Sequence, residues 1–192
     1  MINRFFKSLF LIVPIIVNTS STTKSQTLKK EDLVKSYITA RNNYNIKKVN
    51  SLIDKNYSEM FINGSVEIEN KEKLEDAVLW GKELGSNIKL LDIKSDGETV
   101  VTIEESSNYL DVALKRKGRK FKIVYTFLNN KIQNQKIDTI PGYFRILKFN
   151  SDRYAKFMNY CNQNNLNCSG SYNQESGRHL RKVLEKYKNE TE

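Results

Sequence analysis

Between Asn87 and Pro141 apolar and polar residues alternate as they do along half-buried strands. Asn87 to Lys94 alternates toward Asp96-Gly97, a dipeptide suited to a tight type I′ hairpin turn, where both central residues need positive φ. Glu98 to Leu114 is long, opens on the β-branched run Val100, Val101, Thr102 and Ile103, and ends in the basic loop Lys115 to Lys120. Phe121 to Leu128 puts Phe121, Ile123, Tyr125 and Phe127 on one face and Lys120, Lys122 and Thr126 on the other. Asn129-Asn130 turns the chain into Lys131 to Ile140, and Pro141-Gly142 stops it. The stretch reads as a run of three long antiparallel strands whose apolar face needs cover.

The cover comes from the segments before it, where the apolar period lengthens. Leu33, Val34, Tyr37 and Ile38 repeat at helical spacing between Leu28 and Arg41, with Glu31 and Asp32 placed near the expected helix start. Asn45 is the expected N-cap of a second helix to Asp54, carrying Ile46, Val49, Leu52 and Ile53. Tyr57 to Ile62 and Ser65 to Glu69 read as a short hairpin about Asn63-Gly64. Asn70 then caps a third helix, Lys71 to Leu84, with Leu74, Ala77, Val78, Gly81 and Leu84 on one stripe and Gly85 as its C′ residue.

This order resembles the nuclear transport factor 2-like fold, also called SnoaL-like or cone fold, over residues 28–141. The matching features are the helices Glu31 to Arg41 and Asn45 to Asp54, the strand Tyr57 to Phe61, the Asn63-Gly64 turn before the third helix, and a closing strand that ends at Pro141. The resemblance implies an α+β fold in which N-terminal helices pack in the concave face of a strongly bent antiparallel sheet. It also implies a pocket at the open end of the cone and, in many members, a homodimer formed through the sheet. Residues 142–192 fall outside that pattern and form a mostly helical C-terminal extension expected to dock on the domain. There, Tyr143 to Phe149 could extend the sheet. Ser151 is a plausible N-cap for a helix carrying Tyr154, Phe157, Met158 and Cys161, and Ser171 with Gln174 resembles a capping box for a last helix.

Charge and composition add a compartment. Arg4 and Lys7, the apolar run Leu9 to Val17 and the small polar segment Asn18 to Thr23 have the layout of a secretory signal over residues 1–21. The run is about half the roughly 20 residues that span a bilayer; an uncleaved anchor is the alternative reading. The chain is therefore expected in the periplasm or outside the cell, with membrane contact only peripheral. Cys161 and Cys168 could pair there, closing a small loop worth about 2–3 kcal/mol; in a reducing compartment they would be two buried thiols. The net charge of +10 is spread along the chain in mixed sign, and 10 Tyr with 9 Phe argue against disorder.

The resemblance also directs the search for chemistry, since enzymes of this fold place an Asp, His or Tyr inside the cone to move protons. His179, the one histidine, lies among Arg178, Arg181 and Lys182 on a surface helix and is a poor candidate. Among the strand carboxylates Asp92, Glu104, Asp111 and Asp138, Glu104 and Asp138 could face inward, but a register shift of one residue reverses either choice. A solvated face is the usual position for a carboxylate. Tyr125 and Tyr37 sit on inward faces as possible ligand donors, and Trp80 beside the third helix's stripe as pocket wall; all three suit an ordinary core equally well. No metal, phosphate-loop or nucleophile-elbow motif stands out, and no cofactor is implied. The loop residues Lys115, Arg116, Lys117, Arg119 and Lys120 could meet an anionic surface, or be a solvated hairpin tip. Nucleic acid is disfavoured by the export signal and by the lack of an aromatic-studded basic groove.

Two functions remain in view. One is an exported non-catalytic domain that binds a small apolar ligand or a protein partner through its cone pocket or sheet face. The other is an isomerase-, dehydratase- or cyclase-type enzyme with Glu104 or Asp138 as base and Tyr125 as donor. A third reading is a basic module on an anionic surface. An enzyme requires a carboxylate inside the cone beside the tyrosine, with a raised pKa.

Overall fold

The computed structural model describes residues 20–191. The signal-peptide assignment to residues 1–21 therefore lies, but for Ser20 and Ser21, outside the described residues. Helix α1 runs Ser20–Asn42, starting well before Glu31, so Glu31 is an interior helical residue. Its carboxylate instead accepts hydrogen bonds from the backbone N–H and hydroxyl of Ser95, at 2.9 and 3.0 Å. Helix α2 (Ile46–Leu52) is capped by Asn45, whose side chain accepts from the Lys48 N–H. Helix α3 (Lys71–Glu83) is capped in the same way by Asn70, and Gly85 takes the left-handed conformation after its end.

Six strands form one sheet: β1 (Ile53–Phe61), β2 (Val66–Ile68), β3 (Asn87–Asp96), β4 (Thr99–Ser107), β5 (Arg119–Leu128) and β6 (Lys131–Thr139). Their spatial order is β2-β1-β6-β5-β4-β3, with β1 parallel to β6 and every other pair antiparallel. The stretch from Asn87 thus holds four strands rather than three. Glu98 to Leu114 is not one strand. Asn108 and Asp111 close a reciprocal capping box that ends β4 and starts the short helix α4 (Tyr109–Ala113). The turns differ as well. Asn129 and Asn130 both have positive φ, the type I′ requirement, whereas at the Asp96-Gly97 turn only Gly97 does.

The concave side of the sheet holds the main core. Val34, Tyr37 and Ile38 of α1, Val49 and Leu52 of α2, and Leu74 and Val78 of α3 pack there on Ile53, Tyr57, Val100, Ile123, Tyr125 and Ile132. A second core, around Leu84, Leu110, Phe157, Cys161, Val183 and Leu184, joins α3 and α4 to two further helices. These are α5 (Tyr143–Gln163) and α6 (Gln174–Thr191). Tyr143 to Phe149 is the opening of α5, not an added strand. Gly142, at φ 87, turns the chain into it, and Ser151 lies within the helix. The last helix is capped by Asn173, which accepts from the Ser176 N–H at 3.0 Å, instead of by Ser171. A disulfide joins Cys161 to Cys168 across the loop after α5, with Cα atoms 6.1 Å apart.

Candidate functional site

Sheet register builds the site. Glu59 of β1 lies beside Gln135 of β6, Gln135 beside Tyr125 of β5, and Tyr125 beside Val100 of β4. All four side chains are buried, so one row crosses the concave face. Two residues further along β4 and two more, Thr102 and Glu104 share that face. From above, α1 lowers Tyr37 and Arg41, one helical turn apart, onto the row.

Two polar clusters result. In the first, the Tyr57 hydroxyl donates to Glu59 Oε1 at 2.7 Å, and one Arg41 terminal nitrogen donates to the same oxygen at 3.0 Å. That arginine also reaches the Tyr37 oxygen at 3.3 Å, and the Tyr37 and Tyr57 hydroxyls are 2.7 Å apart. Gln135 Nε2 donates to both tyrosines, at 3.1 Å to Tyr37 and in a short contact to Tyr57. Glu59 is thus buried but compensated by a cation and a hydroxyl. The network is closed on itself.

The second cluster has a different balance. The Tyr125 hydroxyl donates to Glu104 Oε1 at 2.7 Å and the Thr102 hydroxyl to the same oxygen at 2.6 Å. Glu104 is 5% exposed and makes no ion pair among the described residues. Burial therefore raises its carboxyl above the ordinary 4.5, and the two hydroxyl donors recover only part of that. Burial, followed by the facing carboxylate, holds the Tyr125 hydroxyl protonated well past its ordinary 10.0. Because both donors converge on Oε1, Oε2 has no hydrogen-bond partner among the described residues. A carboxyl with a raised pKa beside a firmly protonated phenol is an acid–base pair. The Tyr37 and Tyr125 rings meet edge to face, 6.3 Å apart, linking the two clusters.

The raised Glu104 pKa has a signed consequence. The folded state holds this proton more tightly than the unfolded chain, so its contribution to stability is complete below 4.5. It is lost as pH climbs from there through the raised value. Urea midpoints of the wild type and Glu104→Gln, compared from acid to neutral pH, should diverge over that climb, with the wild type losing relative stability. Parallel curves would mean that Glu104 titrates alike in both states.

The other sequence candidates lie elsewhere. Asp138 pairs across the strands with Lys122, is half-buried, and accepts the N–H of Thr139, so it does not join the cone interior. Its register is opposite to that of Gln135 and Ile137. Trp80 belongs to the second core, its ring tilted against that of Tyr172 at 4.9 Å, and is no wall of the cone. Asp92 is exposed, and Asp111 serves the α4 cap. His179 is exposed and meets the Asn167 carbonyl at 2.7 Å. In the basic loop, Lys117 lies over the Phe149 ring, 4.8 Å from its centroid, while Arg116 turns inward to Asp111. The loop follows a helix and is not a hairpin tip.

Sequence reasoning missed Arg41, Tyr57, Glu59, Thr102 and Gln135. The signals were there in part: Arg41 is one turn from Tyr37, and Tyr57 and Glu59 alternate on one strand face.

Neither a family model nor a curated protein matches the chain by sequence. Solved structures match its shape. An LEH-like epoxide hydrolase of M. tuberculosis superimposes with a TM-score of 0.53 at 14% identity, covering 68% of this chain and 93% of its own. Bal32a, from a soil-derived mobile gene cassette, gives 0.50 at 18% identity, over 65% of this chain and 98% of its own. A candidate ketosteroid isomerase from Kribbella flavida gives 0.50 at 9% identity, over 62% and 82%. At such identities the likeness concerns the fold.

Proposed function

From the nuclear transport factor 2-like cone fold of this chain, we propose that its interior is a small-molecule site where Glu104 moves a proton and Tyr125 stabilises the developing oxyanion. The observation that carries this is the 2.7 Å hydrogen bond from Tyr125 to a buried Glu104 that makes no ion pair among the described residues. The reaction class is proton transfer next to a carbonyl, or the related opening of an epoxide. Oε2 of Glu104 takes the proton from carbon, and the Tyr125 O–H turns from Oε1 of Glu104 to the substrate oxygen that gains charge, leaving Thr102 as the donor on Oε1. The solved relatives described as an isomerase and an epoxide hydrolase support the class without fixing a substrate. Export is part of the proposal, supported by the N-terminal apolar run and by the Cys161–Cys168 bond.

One observation favours a second reading, in which the cone binds a small ligand or a protein partner without turning it over. The groups of the Arg41–Glu59 network, buried in the interior, already satisfy one another. A β,γ-unsaturated ketone separates the two. Under the enzymatic reading its conjugated product accumulates, and Glu104→Gln lowers turnover by about 10²–10⁴-fold while native mass spectrometry still finds the ketone bound. Binding without turnover by the wild type supports the second reading. Turnover unaffected by Glu104→Gln removes the first.

A further inference from the structure

The concave face opens along β5 toward the start of that strand. Tyr125 and Ile123 are buried, whereas Phe121, which lies beside Glu104 across the strands, is half-buried. From Phe121 aromatic rings continue outward. Phe61 of β1 lies 6.3 Å from it, Tyr143 at the start of α5 lies 5.4 Å from it, and Phe144 stands 5.6 Å from Tyr143. Phe61 and Tyr143 are half-buried as well, and Phe144 is 74% exposed. Rings whose exposure grows from the buried carboxyl to the surface form an apolar track into the interior.

Arg119 stands at the outer end of this track. It precedes Phe121 by two residues on β5, hence on the same face and about 7 Å further out along the strand. Its Nε is buried without a hydrogen-bond partner, while its terminal nitrogens, equally without one among the described residues, are not buried with it. The carboxylate nearby is Glu67 of β2. Desolvation and then Glu59 raise the Glu67 pKa, and Arg119 and then Arg41 pull it down, in the case of Arg119 without an ion pair among the described residues. With Nε closed off, the end of the guanidinium presents two N–H donors, the fork that matches one carboxylate. A lone cation with Glu67 in its neighbourhood suits a singly charged carboxylate better than a phosphate. Building on the reading of the cone as a small-molecule site, we propose that its ligand is an apolar carboxylate. The apolar body lies along Phe121, Phe61 and Tyr143, and the carboxylate meets the terminal nitrogens of Arg119. For the proton transfer at Glu104, the substrate is then a ketone or epoxide with a carboxylate at the outer end of its apolar body.

Titration calorimetry with octanoate and its neutral counterpart octanamide tests the assignment. Octanoate is expected to bind saturably and about tenfold or more tighter than octanamide, and Arg119→Gln should abolish that preference. Lys120→Gln, on the opposite face of the same strand, should leave it intact, which separates Arg119 from the general basicity of the chain. Phe144→Ser alters an exposed side chain, so its fold is retained, and it should weaken both ligands by about fivefold. Glu104→Gln should keep the preference for octanoate, so a failure of catalysis leaves this result standing, and a failure here leaves the ketone test of catalysis untouched. Absence of octanoate binding, equal affinity for the two ligands, or a preference that survives Arg119→Gln overturns the proposal. Unchanged affinities in Phe144→Ser overturn the aromatic track.

Discussion

Replacing Arg41 by Ala should destabilise the protein by about 3–5 kcal/mol, the cost of leaving a buried carboxylate without its cation. Glu59 is 6% exposed, and Arg41 is its ion-pair partner among the described residues. The same substitution takes a donor from Tyr37 and leaves the Tyr57–Gln135 side of the network to reorganise. Urea unfolding measures the loss. The double variant Arg41→Met with Glu59→Gln should recover most of it, because a neutral amide remains within reach of the Tyr57 hydroxyl. If Arg41→Ala unfolds at the wild-type midpoint, the network is not the structural base of the cone that its geometry implies.

The second large effect is expected from Phe157→Ala. Phe157 is fully buried between α5 and α6, edge to face with Tyr187 at 5.3 Å. Truncating such a ring costs about 3–5 kcal/mol through lost burial and the cavity left behind. The damage should stay with the second core. Hydrogen exchange is expected to quicken in α5 and α6 while the central strands β4 to β6 keep their protection. Uniform loss of protection across both cores would instead make them one cooperative unit.

Much of the fold was legible because its signals are local. Asn45 and Asn70 before apolar stripes, and Gly85 after one, each announce a helix end within four residues. The break inside Glu98 to Leu114 was harder. Its β-branched opening sets an expectation of strand that the Asn108–Asp111 capping box overrides. Tyr143 to Phe149 was ambiguous for a related reason: seven residues with scattered apolar positions fit either period, and burial of Asn150 and Phe157 beyond them decides for helix.

The site divides along the same line. Tyr125 could be placed on an inward face from alternation alone. Whether Glu104 or Asp138 faces inward depends on pairing between strands, which sequence leaves open and which the alignment of Lys122 with Asp138 decides. Glu59 was not foreseen, because burying a carboxylate is unfavourable until Arg41, eighteen positions earlier, is brought to it by the packing of α1 across the sheet.

The proposed chemistry stands on Glu104 and Tyr125 as a buried acid–base pair. Carbon-13 NMR of the glutamate side-chain carboxyls, titrated with pH and assigned with Glu104→Gln, reads it directly. The Glu104 resonance is expected to titrate above the ordinary 4.5 and to move again when Tyr125 is replaced by Phe. A Glu104 carboxyl that titrates at or below 4.5, indifferent to Tyr125, would contradict it.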